Sequence, residues 1–223
     1  MLSLPRHRLA AQYNKRMFVL LPWRASLALL LFFALPAAQS NGQTQPAASK
    51  PVSASTQAAA DGMAKKLAYI QQNGNKAQPD QSPTVLNENE INAYFAAGRV
   101  KVPAGLQQIR FGLAPGQITS NLVVDFDELT AGRRSQNPLL GLFTGTHNVQ
   151  VLAHGEASGG MARAHIDSAS LDGTEIPRFL LEMFVDRLLK PKYPQASLDP
   201  TFKLPSRVDM VTIGEHKATV TQK

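Results

Sequence analysis

The chain has 223 residues, with 23 Lys and Arg against 16 Asp and Glu and no cysteine, which is the length of one ordinary domain. The missing cysteine excludes a disulfide framework, a lipoprotein anchor and any thiolate site. The formal charge of +7 is unevenly spread: Arg6, Arg8, Lys15, Arg16 and Arg24 fall in the first 40 residues, which hold no acid, so 18 basic groups face 16 acids in the remainder, a net +2. A nearly neutral body lacks the basic face that nucleic-acid binding requires.

Those first 40 residues read as a leader. Ala25 to Ala38 is an apolar run of 14 residues behind a basic segment and ahead of small residues, the pattern of an export signal too short to span a bilayer alone. Ala38-Gln39-Ser40 offers a small-x-small cleavage site. The alternative is a retained N-terminal anchor from Met17 to Ala38, interrupted by Pro22, Trp23 and Arg24, in which the central Arg is costly in a bilayer. Both versions place the rest in the periplasm or on the outer face of the inner membrane.

Residues 41–83 read as a linker. Asn41 to Ala60 is Gln, Ser, Ala, Thr and Pro without periodicity, Met63, Leu67 and Ile70 share one face of a short helix ending near Gly74, and linker composition returns from Ala77 to Pro83. The compact domain is expected over residues 84–223. It opens on a helix: Asn87 and Glu90 form a capping box, Leu86 and Ile91 occupy the staple positions, and Gly98 is the C-terminal cap.

From Gln107 the period changes to two. Ile109, Phe111 and Leu113, then Ile118, Leu122, Val124 and Phe126, alternate with polar or small residues across Pro115-Gly116, predicting a hairpin with one buried face. Leu129 to Thr146 is a connection with an apolar centre. A second hairpin turns at Gly159-Gly160 and pairs Ala157 with Ala162, Gly155 with Ala164, Ala153 with Ile166 and Val151 with Ser168 on one face; Glu156 with Arg163, His154 with His165 and Leu152 with Asp167 fall on the other. A third hairpin is expected from Arg207 to Thr221 around Gly214-Glu215.

Between the last two hairpins lies the most apolar stretch of the domain, Ile176 to Pro191. At 100° per residue, Leu180, Leu181, Phe184, Val185, Leu188 and Leu189 cover half a helix, with Pro177 at its start and Pro191 ending it after Lys190. Six such side chains contribute about 10 kcal/mol or more on burial, so a sheet, a membrane surface or a bound lipid must cover them. The fold expected is α+β: a strongly curved antiparallel sheet of about six strands, in three hairpins, wrapped around the apolar helix, with a second helix covering one edge.

Chemistry-bearing residues are few. The opposed His154 and His165 allow a metal contact or a solvated pair, and no third ligand is near in sequence. Asp125, Asp127 and Glu128 allow paired carboxylates or solvated strand acids. There is no G-x-S-x-G, P-loop or G-x-G-x-x-G. The reading is therefore non-enzymatic, with no cofactor and no metal. Basic residues gather near the apolar helix: Arg187, Lys190 and Lys192, which are candidates for phosphate head groups, together with Lys203, Arg207 and the Arg133-Arg134 pair.

The order Leu86-Asn87-Glu88-Asn89-Glu90-Ile91-Asn92-Ala93-Tyr94-Phe95, Val102-Pro103-Ala104-Gly105-Leu106, long alternating strands, Ile176-Pro177 before an apolar helix, and Leu204-Pro205 before a final hairpin resembles bacterial exported lipid-binding proteins, the mycobacterial LmeA-like phospholipid-binding group and behind it the tubular lipid-binding (TULIP-like) fold. The resemblance spans about Val85 to Val220. It implies a curved sheet cradling a helix with acyl chains between them and no catalytic residues; the helix here is short for that fold. The lining expected for such a slot is Phe111, Leu113, Leu122, Val124, Phe126, Leu180, Phe184 and Leu188. A partner lipid or membrane surface follows from this. A structural or assembly module of the envelope with a packed core and a protein partner is the competing expectation, decided by whether a cavity exists.

Overall fold

The protein's computed structural model describes residues 53–132 and 136–223. The leader, with its export or anchor segment, and the Arg133-Arg134 pair lie outside the described residues. Among the described residues, one antiparallel sheet of nine strands, which does not close on itself, is joined by four helices. No described helix is long and apolar enough to cross a membrane.

The first element, α1 (Ala54–Gly74), lies where a linker and a short helix are expected. Ser53 caps it, accepting from the Thr56 backbone N–H at 3.2 Å. The Ala- and Gln-rich run from Ala54 to Ala60 has no apolar stripe, but its residues are good helix formers, and a helix already packed further along extends back through them. Ala60, Met63 and Ile70 are buried. Among the described residues, α1 therefore packs with the core although it lies ahead of Thr84, where the compact domain is expected to begin.

β1 (Thr84–Asn87) leads directly into α2 (Glu88–Ala96). Glu90 closes the expected capping box by accepting from the Asn87 N–H at 3.0 Å, Leu86 and Ile91 are both buried, and Gly98 takes φ +64° at the helix end. β2 (Leu106–Ala114) and β3 (Gln117–Asp125) form the first hairpin, pairing Phe111 with Ser120 and Leu113 with Ile118. β3 stops one residue early for the expected pattern: Phe126 belongs to a short helix, α3 (Phe126–Leu129), capped by Asp125.

β4 (Thr146–Ser158) and β5 (Met161–Leu171) turn at Gly159-Gly160, whose φ values of +61° and +76° suit the mirror-image two-residue turn. The pairs from Ala157 to Ala153 are those expected. A bulge after Ala153 then shifts the register, so Leu152 faces Ser168 and Val151 faces Ala169. One extra residue on β5 restores Ala169 and Leu171 to the apolar face, which period two alone does not reveal.

β6 (Thr174–Glu175) precedes α4 (Arg178–Phe184), whose last turns, Val185–Leu189, widen to a π-helix in which the Lys190 N–H reaches the Val185 carbonyl at 2.8 Å. β7 (Thr201–Lys203) follows, then the hairpin β8 (Val208–Gly214) and β9 (Lys217–Gln222), which turns at Glu215-His216, one residue later than expected. Three hairpins are present, and the strands beyond the expected six are the short β1, β6 and β7.

The sheet order is β1-β9-β8-β4-β3-β2, with β5 on the other side of β4 and flanked by β6 and β7. The long β4–β5 hairpin is the spine. Its β4 edge pairs with β3 up to His154 and meets β8 at Ala157. Ile109, Phe111, Leu113, Ile118, Leu122, Val149, Val151 and Ala153 alternate onto a single face. Along that face lie two apolar cores: one collects α1, α2, β8 and β9, the other α3, α4, the π-turn and the loops beside them.

Candidate ligand cavity

Beneath α4 the sheet face is not fully covered. A cavity of about 160 Å³ lies between the strands on one side and α4 with its π-turn on the other. Its strand wall is Ile109, Phe111, Leu122, Val124, Val149, Val151, Ile166 and Ala169, and its helix wall is Leu181, Phe184, Val185 and Leu189. The deep end is aromatic: Phe143 stacks on Phe184 with centroids 4.3 Å apart, and both approach Phe126 edge-on at 5.5 Å. Rings in these arrangements attract one another beyond their simple burial. Leu122, Val149, Ile109 and Ile166 face inward yet remain half-buried, as residues at the open side of a slot must.

Five of the eight expected lining residues, Phe111, Leu122, Val124, Phe126 and Phe184, line this cavity. Leu113, Leu180 and Leu188 do not; they are buried in solid core, Leu113 with α1 and α2 and the two leucines with α4's own cluster. The helix presents Leu181, Val185 and Leu189 instead. A two-fold choice exists on a helix that is apolar over half its surface, and a 3.6-residue period cannot show which stripe meets the cavity when a π-turn rotates the last turns.

The rim is the segment Val100 to Pro103 with Leu106, faced by Leu129 and Tyr193. Gly105 holds that segment against α3: its φ is +89°, its carbonyl accepts from the Asp125 N–H at 2.7 Å, and an added Cβ would lie 2.4 Å from the Asp125 carbonyl oxygen and 2.5 Å from the Leu129 nitrogen. Lys101 is on the rim and exposed. Lys192 is beside it, donating to the Leu129 carbonyl at 3.2 Å and lying over the Tyr193 ring at 5.3 Å. The other two expected head-group contacts are elsewhere: Lys190 pairs with Asp186 at 2.6 Å, and Arg187 lines a separate surface cleft with Asn137, Leu140 and Met183. Arg207 is structural, donating to the Lys76 and Ala77 carbonyls beyond α1.

The small-residue face of the second hairpin is not under α4. Ala153, Gly155, Ala157, Ala162 and Ala164 border a second cavity of about 100 Å³ roofed by Met63 and Leu67 of α1 and Ile91, Tyr94 and Phe95 of α2. Phe95 lines both cavities and meets Phe111 edge-on at 5.0 Å.

His154 and His165 are neighbours, 5.1 Å between rings, and each turns its Nδ1 to its own carboxylate, Asp167 at 2.6 Å for one and Asp199 for the other. Among the described residues no group of three or more His, Cys, Asp or Glu is placed to hold a metal ion. Asp125, the last residue of β3, accepts from the Glu128 N–H at 3.0 Å as the cap of α3, and Asp127, within α3, accepts from the Gly145 N–H at 3.1 Å. Sequence reasoning missed His147. Its Nδ1 is 2.6 Å from Asp172 and its Nε2 2.8 Å from the Thr144 carbonyl, beside the Phe126 ring. The Asp172 hydrogen bond, outweighing partial burial and helped by Thr144, raises its pKa above the ordinary value. The imidazolium form donates both bonds and ties the loop carrying Phe143 to β4.

Comparisons with protein-family models, with curated proteins and with solved structures find no match to this chain.

Proposed function

We propose that this is an exported cell-envelope protein that binds a lipid-like ligand, with a phospholipid the leading class, in the apolar slot between the sheet and α4, and that it carries or presents that ligand without covalent chemistry. In this reading the sheet curves around α4, the Val100 to Pro103 rim is the entrance, and Lys101 and Lys192 meet the ligand's polar end. The observation that carries it is the apolar lining: strand, helix and aromatic side chains close around empty volume where close packing is the rule for a plain core. The resemblance to exported phospholipid-binding proteins and the absence of any acid, base or nucleophile constellation among the described residues support it.

Size sharpens the reading. An engineered apolar cavity of about 150 Å³ takes up one benzene, so this cavity matches about six carbons, which at about 0.8 kcal/mol per CH₂ return roughly 5 kcal/mol before association costs. A long chain must therefore extend beyond it. The exposed Phe179 and Leu139, 56% and 51% accessible, favour the second reading, an envelope assembly module whose apolar surface docks a protein.

Native mass spectrometry with lipid extraction of the protein produced with its leader separates the two. Co-purifying phospholipid, lost in Leu181→Trp in the helix wall or Ala169→Phe in the strand wall while the melting transition persists, is the expected result. Protein that is folded, lipid-free and unable to take up added lipid refutes the carrier reading and leaves the assembly module.

A further inference from the structure

The two cavities lie in line on one sheet face, and the residue between them is polar. Ser120 sits on β3 between Ile118, which lines the second cavity, and Leu122, which lines the first. Its cross-strand neighbours are Phe111 and Val151, both in the wall of the first cavity. Strand alternation puts its side chain on the inner face with them. It is 0% exposed, and its hydroxyl has no hydrogen-bond partner in the protein. A buried hydroxyl without a partner is unfavourable, and an alanine would fill nearly the same space without that penalty. In front of this stretch of wall stands Phe95, the one ring that belongs to both cavities, on the last turn of α2 and half-buried.

Resting on the ligand-binding reading above, we propose that the two cavities are the ends of one ligand slot, divided in this structure by the Phe95 ring, and that the Ser120 hydroxyl is the slot's internal polar contact, donating to an oxygen carried part-way along the ligand's chain. The ligand class is then a long acyl or alkyl chain bearing a mid-chain hydroxyl, keto or ether oxygen. Three observations converge on it. The first cavity alone is too small for a long chain, the second continues its line, and the only unpartnered hydroxyl among the described buried side chains lies where the two would join. Swinging Phe95 off Phe111 joins them and uncovers Ser120; the half-buried position of the ring at a helix end leaves it room to turn.

The test uses the full-length protein, with displacement of a fluorescent fatty acid by octanoate, stearate and a mid-chain hydroxystearate. Stearate is expected to bind well above octanoate, and the hydroxystearate about 3- to 10-fold tighter than stearate, the effect of one net hydrogen bond. Ser120→Ala is expected to remove the second difference alone while raising the melting temperature. Phe95→Ala, or Phe95→Leu should the first not fold, is expected to strengthen stearate relative to octanoate. If Ser120→Ala is merely more stable and the hydroxystearate preference is absent or unmoved, the hydroxyl is a structural orphan and the assignment of Ser120 is wrong. A chain-length profile unmoved by either Phe95 variant overturns the joined slot. Stearate binding without any such discrimination defeats this inference and leaves the ligand-binding reading standing; no binding of any of the three acids defeats this inference, and no uptake of added phospholipid besides defeats both.

Discussion

The two ends of the sheet face are held by different forces. Under α1 and α2 the contacts are directional. Asn73, 1% exposed, donates to the Asp80 carbonyl and to Gln222 and accepts from the Asp80 N–H, while Gln222 reaches the Ile70 and Ser206 carbonyls. Asn92 both donates to the Phe111 carbonyl and accepts from its N–H, at 2.8 and 2.7 Å, standing in for a neighbouring strand along the edge of β2. Glu88 accepts from the Leu113 N–H at 2.7 Å. Under α4 the main contacts are rings and aliphatic chains, with polar ties confined to the margin, such as Arg178 to Asp199 and Lys192 to Leu129. Hydrogen bonds fix one geometry; dispersion contacts fix mainly a volume. The molecule thus has a rigid end and an adaptable end, and the larger cavity is at the adaptable one.

Substitutions that damage one end at a time break or sharpen that contrast. Phe184→Ala removes the ring stacked on Phe143 and is expected to cost about 3–5 kcal/mol and to abolish lipid retention in native mass spectrometry. Gly105→Ala forces a side chain into a left-handed backbone against α3 and is expected to cost about 3 kcal/mol, with a rim displaced enough to weaken ligand uptake; thermal denaturation and dye displacement read the two effects. Asn73→Ala leaves the buried oxygen of the Gln222 amide without its donor and releases the Asp80 segment from the end of α1, and is expected to cost about 2 kcal/mol, while ligand affinity stays at the wild-type value. If Asn73→Ala weakens binding as much as Phe184→Ala does, the two ends are one cooperative unit and the contrast fails.

Legibility in the sequence followed the same division. The period-two strands, the Gly159-Gly160 turn, the α2 cap and staple and the apolar faces of β2 and β3 were readable because each is set by residues a few positions apart. So were Phe111, Leu122 and Val124 in the strand wall of the larger cavity. The bulge between Leu152 and Ala153 and the π-turn at Val185–Leu189 were not, since both leave composition untouched and rotate which side chains face inward. Leu180 and Leu188 were expected in the lining in place of Leu181 and Leu189 because the helix is apolar over half its surface and its period does not choose between the two stripes. α1 was only partly legible: Met63, Leu67 and Ile70 carry a stripe, but its C-terminal end is held by a network from Asn73 to Gln222, 149 positions away. The pairing of the small-residue face with α1 and α2 was hidden for the same reason.

The smallest expected effect is electrostatic, and it too divides the ends. At the α4 end, His147 is raised in pKa by Asp172, so its contribution is complete below the unfolded value of about 6.5 and is lost as pH rises through the higher folded value. At the other end, burial of Glu88 works to raise its pKa, but the Leu113 N–H and His216 outweigh it and hold the group below its ordinary value. That contribution is complete above the unfolded value of about 4.5 and disappears only as pH falls through the lower folded one. His216, raised by the same carboxylate, is exposed and screened, and Glu88 keeps its bond to Leu113 after His216 loses its charge. Raising the pH from about 6 to 8.5 is therefore expected to loosen the Phe143 loop, which His147 ties to β4, and to leave the α2 clamp on β2 in place. Corrected for the pH dependence of intrinsic exchange, protection of the Phe143 and Gly145 amides should fall across that range while protection at Phe111 and Leu113 holds. In His147→Gln the loop amides should exchange at the higher rate at every pH, and the melting-temperature gap from wild type should close as the medium becomes alkaline. A gap that stays constant with pH would assign the role of His147 to packing against Phe126, and the adaptable end would then be adaptable for reasons of volume alone.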